Sequence, residues 1–238
     1  MVWKLIIDGP MPGVRNMAVD AALLEEVERS DSPLTIVRFY GWSVPTISLG
    51  RNQKLATAVD VGYCEASGID IVHRPTGGRA VLHDDELTYA VVSNDSASFG
   101  DSIYGNYKRV SEALCLGYNR IGVPAVLAPE TRKPPSGTNG ADPPCFLSPS
   151  RYELTVEGRK IAGSAQRRVR GSFLQHGSMP ITCNRETLAR ATRQASADPL
   201  KREMAGAAEF LSERPSIEQF RDVFVAAFRD YFSITFVL

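Results

Sequence analysis

Between residues 34 and 92 the chain passes through five short segments rich in β-branched and aromatic side chains, at 34–40, 46–49, 69–73, 80–83 and 87–92, separated by turn residues. Runs of that length and composition predict strands. Helical patterns gather towards the two ends instead. A short apolar stretch at 2–7 closes in a turn cluster, Gly9-Pro10 and Pro12-Gly13. Asn16 then stands as an N-cap ahead of Met17, Ala21, Leu24 and Val27, which recur at helical spacing until Ser30-Asp31-Ser32-Pro33. A helix carrying Val59 and Cys64 separates the second strand from the third, and Val110, Ala113, Leu114 and Gly117 share one face of a helix over 104–121. Residues 152–156 and 159–164 read as a hairpin turning at Glu157-Gly158, and 172–178 as a further strand. Residues 186–232 are mainly helical, with Phe220, Val223, Phe224, Ala227 and Phe228 as an apolar stripe. Consecutive strands with helices set apart predict an α+β fold with a mixed, largely antiparallel sheet flanked by helices. Residues 1–238 are expected to form one domain whose C-terminal segment, from about 185, is helical.

Charge and cysteine usage exclude several function classes. The chain has 27 Lys and Arg against 27 Asp and Glu. A protein devoted to nucleic acid is normally basic, because each phosphate contact needs a cation, so no nucleic-acid partner is expected. The four cysteines, Cys64, Cys115, Cys145 and Cys183, are too sparse for a disulfide scaffold and show no CxxC spacing, so no metal site is expected. No stretch approaches the roughly 18 consecutive apolar residues of a membrane span. A cytoplasmic protein without a membrane partner is the expectation. Charge is nevertheless unevenly placed. Residues 151–170 hold Arg151, Arg159, Lys160, Arg167, Arg168 and Arg170 against Glu153 and Glu157, while residues 1–31 are net acidic.

The densest chemical signal is His73-Arg74-Pro75-Thr76-Gly77-Gly78-Arg79-Ala80-Val81-Leu82-His83-Asp84. Paired glycines let backbone approach a ligand and offer N–H groups to an oxyanion, with Arg74 and Arg79 flanking them. A hairpin turn with two solvated arginines is the alternative reading. Cys145 follows a proline-rich, aperiodic segment at 128–144 that suggests a lid or a disordered loop. Its thiol needs a nearby cation to ionise at neutral pH, since free cysteine titrates at about 8.5. The expected hairpin carries Lys160 back towards the strand entered from Cys145. His83 and His176 are acid–base candidates, more in keeping with hydrogen bonding or ligand orientation than with a base. The run Asp84, Asp85, Glu86 reads as a solvated turn, or as a holder of Arg74 or Arg79.

Four motifs together resemble the biotin/lipoate protein ligase superfamily. They are Asn16-Met17-Ala18-Val19-Asp20, the stretch from Arg74 to Tyr89, Lys160-Ile161-Ala162-Gly163-Ser164-Ala165-Gln166, and Leu174-Gln175-His176-Gly177-Ser178. Within it, Cys145-Phe146, Pro149-Ser150 and Tyr152-Glu153-Leu154 are similar to the octanoyltransferase (LipM) branch. The resemblance implies a fold related to class II synthetase cores. It also implies transfer of octanoyl from octanoyl-acyl carrier protein to the lipoyl-domain lysine of a carrier such as the glycine-cleavage H protein. On that pattern Cys145 is the acyl-thioester nucleophile and Lys160 lowers its pKa and contacts the acyl carbonyl. Arg74, Thr76, Gly77, Gly78, Arg79, His83, Gly163, Ser164, Ala165 and His176 bind substrate. Neither ATP nor a metal is required, so no cofactor is expected. The rival readings are an ATP-dependent lipoate ligase, a lipoyl amidotransferase, a non-catalytic carrier-binding protein, and a thiol hydrolase pairing Cys145 with His176.

Overall fold

The computed structural model describes residues 1–128 and 152–237. β1 (Val2–Met11) leads into α1 (Gly13–Glu28), followed by β2 (Thr35–Trp42), β3 (Thr46–Leu49), α2 (Leu55–Ala58), α3 (Val61–Ala66), β4 (Asp70–His73), β5 (Val81–His83) and β6 (Glu86–Ser93). Next come α4 (Ser96–Phe99), α5 (Ile103–Arg120), β7 (Val126–Leu127), β8 (Leu154–Val156), β9 (Arg159–Lys160), β10 (Gly163–Val169) and β11 (Ser172–Pro180). α6 (Arg185–Ala191), α7 (Asp198–Glu203), a 3-10 turn at Ala207–Phe210, α8 (Ile217–Phe232) and β12 (Thr235–Val237) follow.

Six strands form the main sheet, in the order β10-β11-β6-β2-β1-β12. The β10–β11–β6–β2 portion is antiparallel, whereas β1 runs parallel to both β2 and β12. This is the mixed α+β arrangement that the strand runs imply. Side chains of a strand alternate between faces, and β2 uses both. Val37 and Phe39 join the core under α5 and α8, while Ile36, Tyr40 and Trp42 join the core under α1. The sheet is therefore covered on both sides. A second sheet, β4-β3-β5, and a third, β7-β8-β9, stand beside it.

Several sequence expectations shift. α1 begins at Gly13 rather than behind Asn16: the carbonyl of Pro12 accepts from the N–H groups of Arg15 and Asn16 at 3.0 and 3.1 Å. Asn16 is buried inside the helix, and its side chain is engaged elsewhere. β1 continues through Gly9-Pro10 to Met11, because a register irregularity against β2 between Ile7 and Pro10 absorbs the turn-forming residues. The expected hairpin forms at Glu157-Gly158, whose positive φ values of 50° and 79° suit a tight two-residue turn. Its second arm stops at Lys160, and β10 starts afresh in the main sheet at Gly163. The intervening Ile161 and Ala162 are buried in the main core, which draws the chain out of the hairpin. β12 has no counterpart in the expected helical tail. Among the described residues no helix is long and apolar enough to cross a membrane.

α5 and α8 pack closely through Gly117. A Cβ there would lie 2.4 Å from Phe224 Cδ1, far inside van der Waals contact. Gly117→Ala is expected to lower stability by about 1–3 kcal/mol despite alanine's better helix propensity. The thermal unfolding midpoint should fall by several degrees; an unchanged midpoint would mean that the two helices separate without cost.

Candidate active site

Asp20 and Asn16, one turn apart on α1, face the same way. Both are fully buried against Arg38, the one charged residue of β2. Arg38 Nη1 donates to Asp20 Oδ1 at 2.7 Å, Nη2 to Asn16 Oδ1 at 2.9 Å, and Nε to Asp8 Oδ2 at 2.7 Å. Asn16 in turn donates to the carbonyl of Gly41 at 2.9 Å. The second Asp20 oxygen accepts from the Tyr40 hydroxyl at 2.8 Å and from His176 Nδ1 at 2.7 Å. Since a carboxylate only accepts, the proton of His176 sits on Nδ1, and Nε2 accepts from the Thr76 hydroxyl at 2.7 Å. Burial pushes the His176 pKa down, which keeps the ring neutral, and pushes the Tyr40 hydroxyl well up, reinforced by the Asp20 charge. Asp20 and Thr76 thus hold the two ring nitrogens of His176, while its pairing with Cys145 lies outside the described residues.

A second network starts at Glu86. Its carboxylate accepts from the hydroxyls of Thr88 and Ser178 and from His83 Nδ1, the last at 2.7 Å. His83 Nε2 lies 2.8 Å from Ser48 Oγ, and the indole of Trp42 stacks on the imidazole with centroids 4.0 Å apart. Arg74 Nη1 donates to the Ser48 carbonyl at 2.8 Å and to its hydroxyl at 3.2 Å. The rest of the Arg74 guanidinium folds onto the carbonyls of Gly77 and Arg79. Arg74 thus clamps the glycine turn instead of flanking it. Glu86 also departs from expectation, being buried at the head of β6 and holding His83 rather than an arginine. Gly78 has φ 91°, and its carbonyl comes so close to Gly50 that a Cβ there would lie 2.0 Å away.

Between these networks lies a cleft. It brings together Arg74, His83, Gly163, Ser164, Ala165 and His176 from the sequence-derived set. Its remaining wall comes from Met17, Tyr40, Trp42, Ser48, Val81, Thr88, Gly177 and Ser178. Thr76 lies behind the wall, on His176. Gly77, Gly78 and Arg79 form the adjoining turn, and Lys160 is placed separately on β9, buried and in an ion pair with Glu153 at 2.6 Å. Cys145 and all of the 128–144 segment except Ala128 lie outside the described residues. Burial raises the thiol pKa of the three other cysteines, that of Cys183 to about 12, so none is a ready nucleophile. Among the described residues no cluster of His, Cys, Asp or Glu is placed to hold a metal ion. The sequence alone assigns no role to Asp20, Arg38, Tyr40, Trp42 or Ser48, and reads Glu86 as part of a solvated turn or as a holder of Arg74 or Arg79. The four-residue spacing of Asn16 and Asp20 and the three-residue spacing of His83 and Glu86 were the available signals.

Comparison with known proteins agrees with this architecture. The pattern of the lipoyl protein ligase A/B catalytic domain matches residues 12–229. An octanoyltransferase LipM from Carboxydothermus hydrogenoformans is 37% identical over 244 residues, covering 99% of this chain and 88% of the relative. An octanoyltransferase LipM from Geobacillus kaustophilus is 42% identical over 190 residues, covering 79% of this chain and 68% of the relative. Among solved structures, the bi-partite lipoate protein ligase of Thermoplasma acidophilum superposes with a TM-score of 0.74 at 23% identity, over 100% of this chain and 86% of that one. A lipoate-protein ligase A bound with ATP gives 0.75, also at 23% identity, over 100% and 88%. These two likenesses establish the fold.

Two consequences of the buried network are measurable. Asp20→Asn leaves Arg38 without its buried counter-charge and is expected to cost about 3–5 kcal/mol in urea unfolding. The depressed pKa of His176 means that the unfolded chain takes up a proton below its ordinary value of 6.5 before the folded chain does. Stability from this group is therefore present above about pH 6.5 and lost as pH falls below it. His176→Gln should flatten that part of the stability–pH curve; an identical slope would mean that the ring is not held neutral.

Proposed function

The chain belongs to the lipoyl protein ligase A/B catalytic domain family, and on that premise we propose an octanoyltransferase of lipoate biosynthesis that works through a thioester on Cys145. The supporting observation is that relatives named octanoyltransferase align with nearly the whole chain at 37% identity. The donor is octanoyl-acyl carrier protein, and the acceptor is the lysine of a lipoyl domain, such as that of the glycine-cleavage H protein. A neighbouring fold, the archaeal bi-partite ligase, is described together with its E2 lipoyl domain, which supports an acceptor of this class.

The residues suit such chemistry. Exchange of the acyl group from the carrier thioester onto the Cys145 thiol is close to isoenergetic, and attack by the acceptor amine then gives an amide downhill, so no ATP is consumed. The Lys160 ammonium, held by Glu153, favours the Cys145 thiolate and meets the acyl carbonyl as negative charge develops on its oxygen. The acyl chain lies in the cleft along Met17, Tyr40, Trp42 and Val81, opposite Gly163 to Ala165. Gly177 lets β10 and Tyr89 approach β11 closely beside that passage, since a Cβ there would lie 2.6 Å from the Gly163 carbonyl and 2.8 Å from Tyr89 Cε1.

An acidic carrier needs a basic landing site. Arg167, Arg168 and Arg170 lie on β10 and its turn into β11. Arg167 donates to the Pro75 carbonyl at 3.5 Å, beside the glycine turn, while Arg170 pairs with Glu28 at 3.0 Å and stays 84% exposed in its side chain. These arginines steer the donor towards the cleft.

Incubation with octanoyl-acyl carrier protein in the absence of ATP should give a hydroxylamine-labile octanoyl adduct by intact mass, missing in Cys145→Ala and discharged by a lipoyl domain. Lys160→Ala should slow adduct formation by about 10²–10⁴-fold. Acceptor acylation that requires ATP and survives Cys145→Ala would instead identify a ligase. Reversing Arg167, Arg168 and Arg170 to glutamate should weaken donor use most at low salt; equal rates at every salt concentration would remove them from the docking surface.

A further inference from the structure

We propose that Ser48, His83 and Glu86 form a second reactive centre in the cleft, which hydrolyses esters and thioesters of fatty acids with Ser48 as nucleophile. Ser48 Oγ, His83 Nε2, His83 Nδ1 and Glu86 Oε1 follow one another at 2.8 and 2.7 Å, the order of nucleophile, base and orienting carboxylate. Because Glu86 can only accept, Nδ1 carries the proton, and the Nε2 lone pair faces the serine hydroxyl. That is the tautomer a base needs.

Each member is held in place. Hydroxyls of Thr88 and Ser178 fix the Glu86 carboxylate, and Trp42 both covers the imidazole face and donates its indole N–H to Thr88 at 2.7 Å. The three side chains stand on β3, β5 and β6 rather than on loops, which favours a fixed geometry. Arg74 Nη1, 3.2 Å from Ser48 Oγ, places a positive charge where an alkoxide and then a tetrahedral oxyanion develop. A serine that served only to pack would not need a buried imidazole and a buried carboxylate behind it, both costly to desolvate. Ser48 and His83 line the same cleft as the apolar side chains of Met17, Tyr40 and Val81, so the chain of a fatty-acid ester has an apolar wall beside the serine.

The reaction balances without a cofactor. Ser48 Oγ attacks the acyl carbonyl as its proton passes to His83 Nε2. The bond to the leaving alcohol or thiol breaks, and that group takes the proton from His83. Water then attacks the Ser48 ester, again giving a proton to His83, which returns it to Ser48 Oγ as the fatty acid departs. Cys145 takes no part, so the centre is tested independently of carrier-dependent acylation.

The test uses the Cys145→Ala protein with two probes, p-nitrophenyl octanoate and a long-chain alkyl fluorophosphonate. Hydrolysis is expected to fall about 10-fold or more when Ser48→Ala or Glu86→Gln is added, in variants whose thermal unfolding shows a folded chain. The phosphonate should add once, and peptide mass mapping should place it on Ser48. Hydrolysis that persists undiminished without the Ser48 hydroxyl overturns the proposal. So does a folded Cys145→Ala protein that leaves Ser48 unlabelled, a result that stands even if the serine variants do not fold.

Discussion

A single buried ion pair organises the molecule around the cleft. Arg38 sits in the central strand of the main sheet with no exposed side-chain surface, and a guanidinium there is tolerable only if it is fully bonded. Asp20 on α1 supplies the compensating charge, and Asp8 and Asn16 take its remaining donors. The same carboxylate then reaches Tyr40 on β2 and His176 on β11. One pairing therefore fixes the position of α1 over the sheet, the tautomer of a cleft histidine and, through Thr76, the start of the glycine turn. The apolar packing of Met17, Leu24 and Val27 makes α1 stick; the charge pair decides where along the sheet it sticks.

The two cleft histidines show how far environment separates identical side chains. Each has a carboxylate on Nδ1 and a hydroxyl on Nε2. The Thr76 hydroxyl belongs to a residue behind the cleft wall, and the Ser48 hydroxyl to one that lines it. Asp20 is itself neutralised by Arg38, whereas Glu86 is held by neutral hydroxyls. The position of the partner oxygen, rather than the histidine, separates an orienting group from one suited to moving a proton.

The strands at 34–92 and the helical tail were legible because alternation and helical periodicity report burial directly. So was the convergence of Arg74, His83, Gly163 and His176, which the four motifs announce together. The misreadings have a common source: polar residues that act inside the core look like surface residues in sequence. Asn16 carries the composition of a helix cap, yet its amide is consumed by Arg38 and Gly41. Glu86 closes an acidic run whose first member, Asp84, is indeed exposed; only the inward start of β6 separates it from its neighbours. β12 is three residues long, too short for alternation to stand out, and owes its existence to the free edge of β1. Where Lys160 lies depends on the point at which the hairpin gives way to the main sheet, and that is set by the burial of Ile161 and Ala162 rather than by turn chemistry.

Arg74 holds the glycine turn with one part of its guanidinium and Ser48 with another, while Thr76, two residues further on, grips His176. Ser48 belongs to the three-stranded β4-β3-β5 sheet and His176 to the six-stranded one, two sheets with no shared ladder. The stretch from Arg74 to Arg79 is thus one rivet between the two plates, and His83, bonded to Glu86 and stacked on Trp42, is a second. The cleft lies between them, so its walls are pinned at two points and the glycine turn is part of one of them.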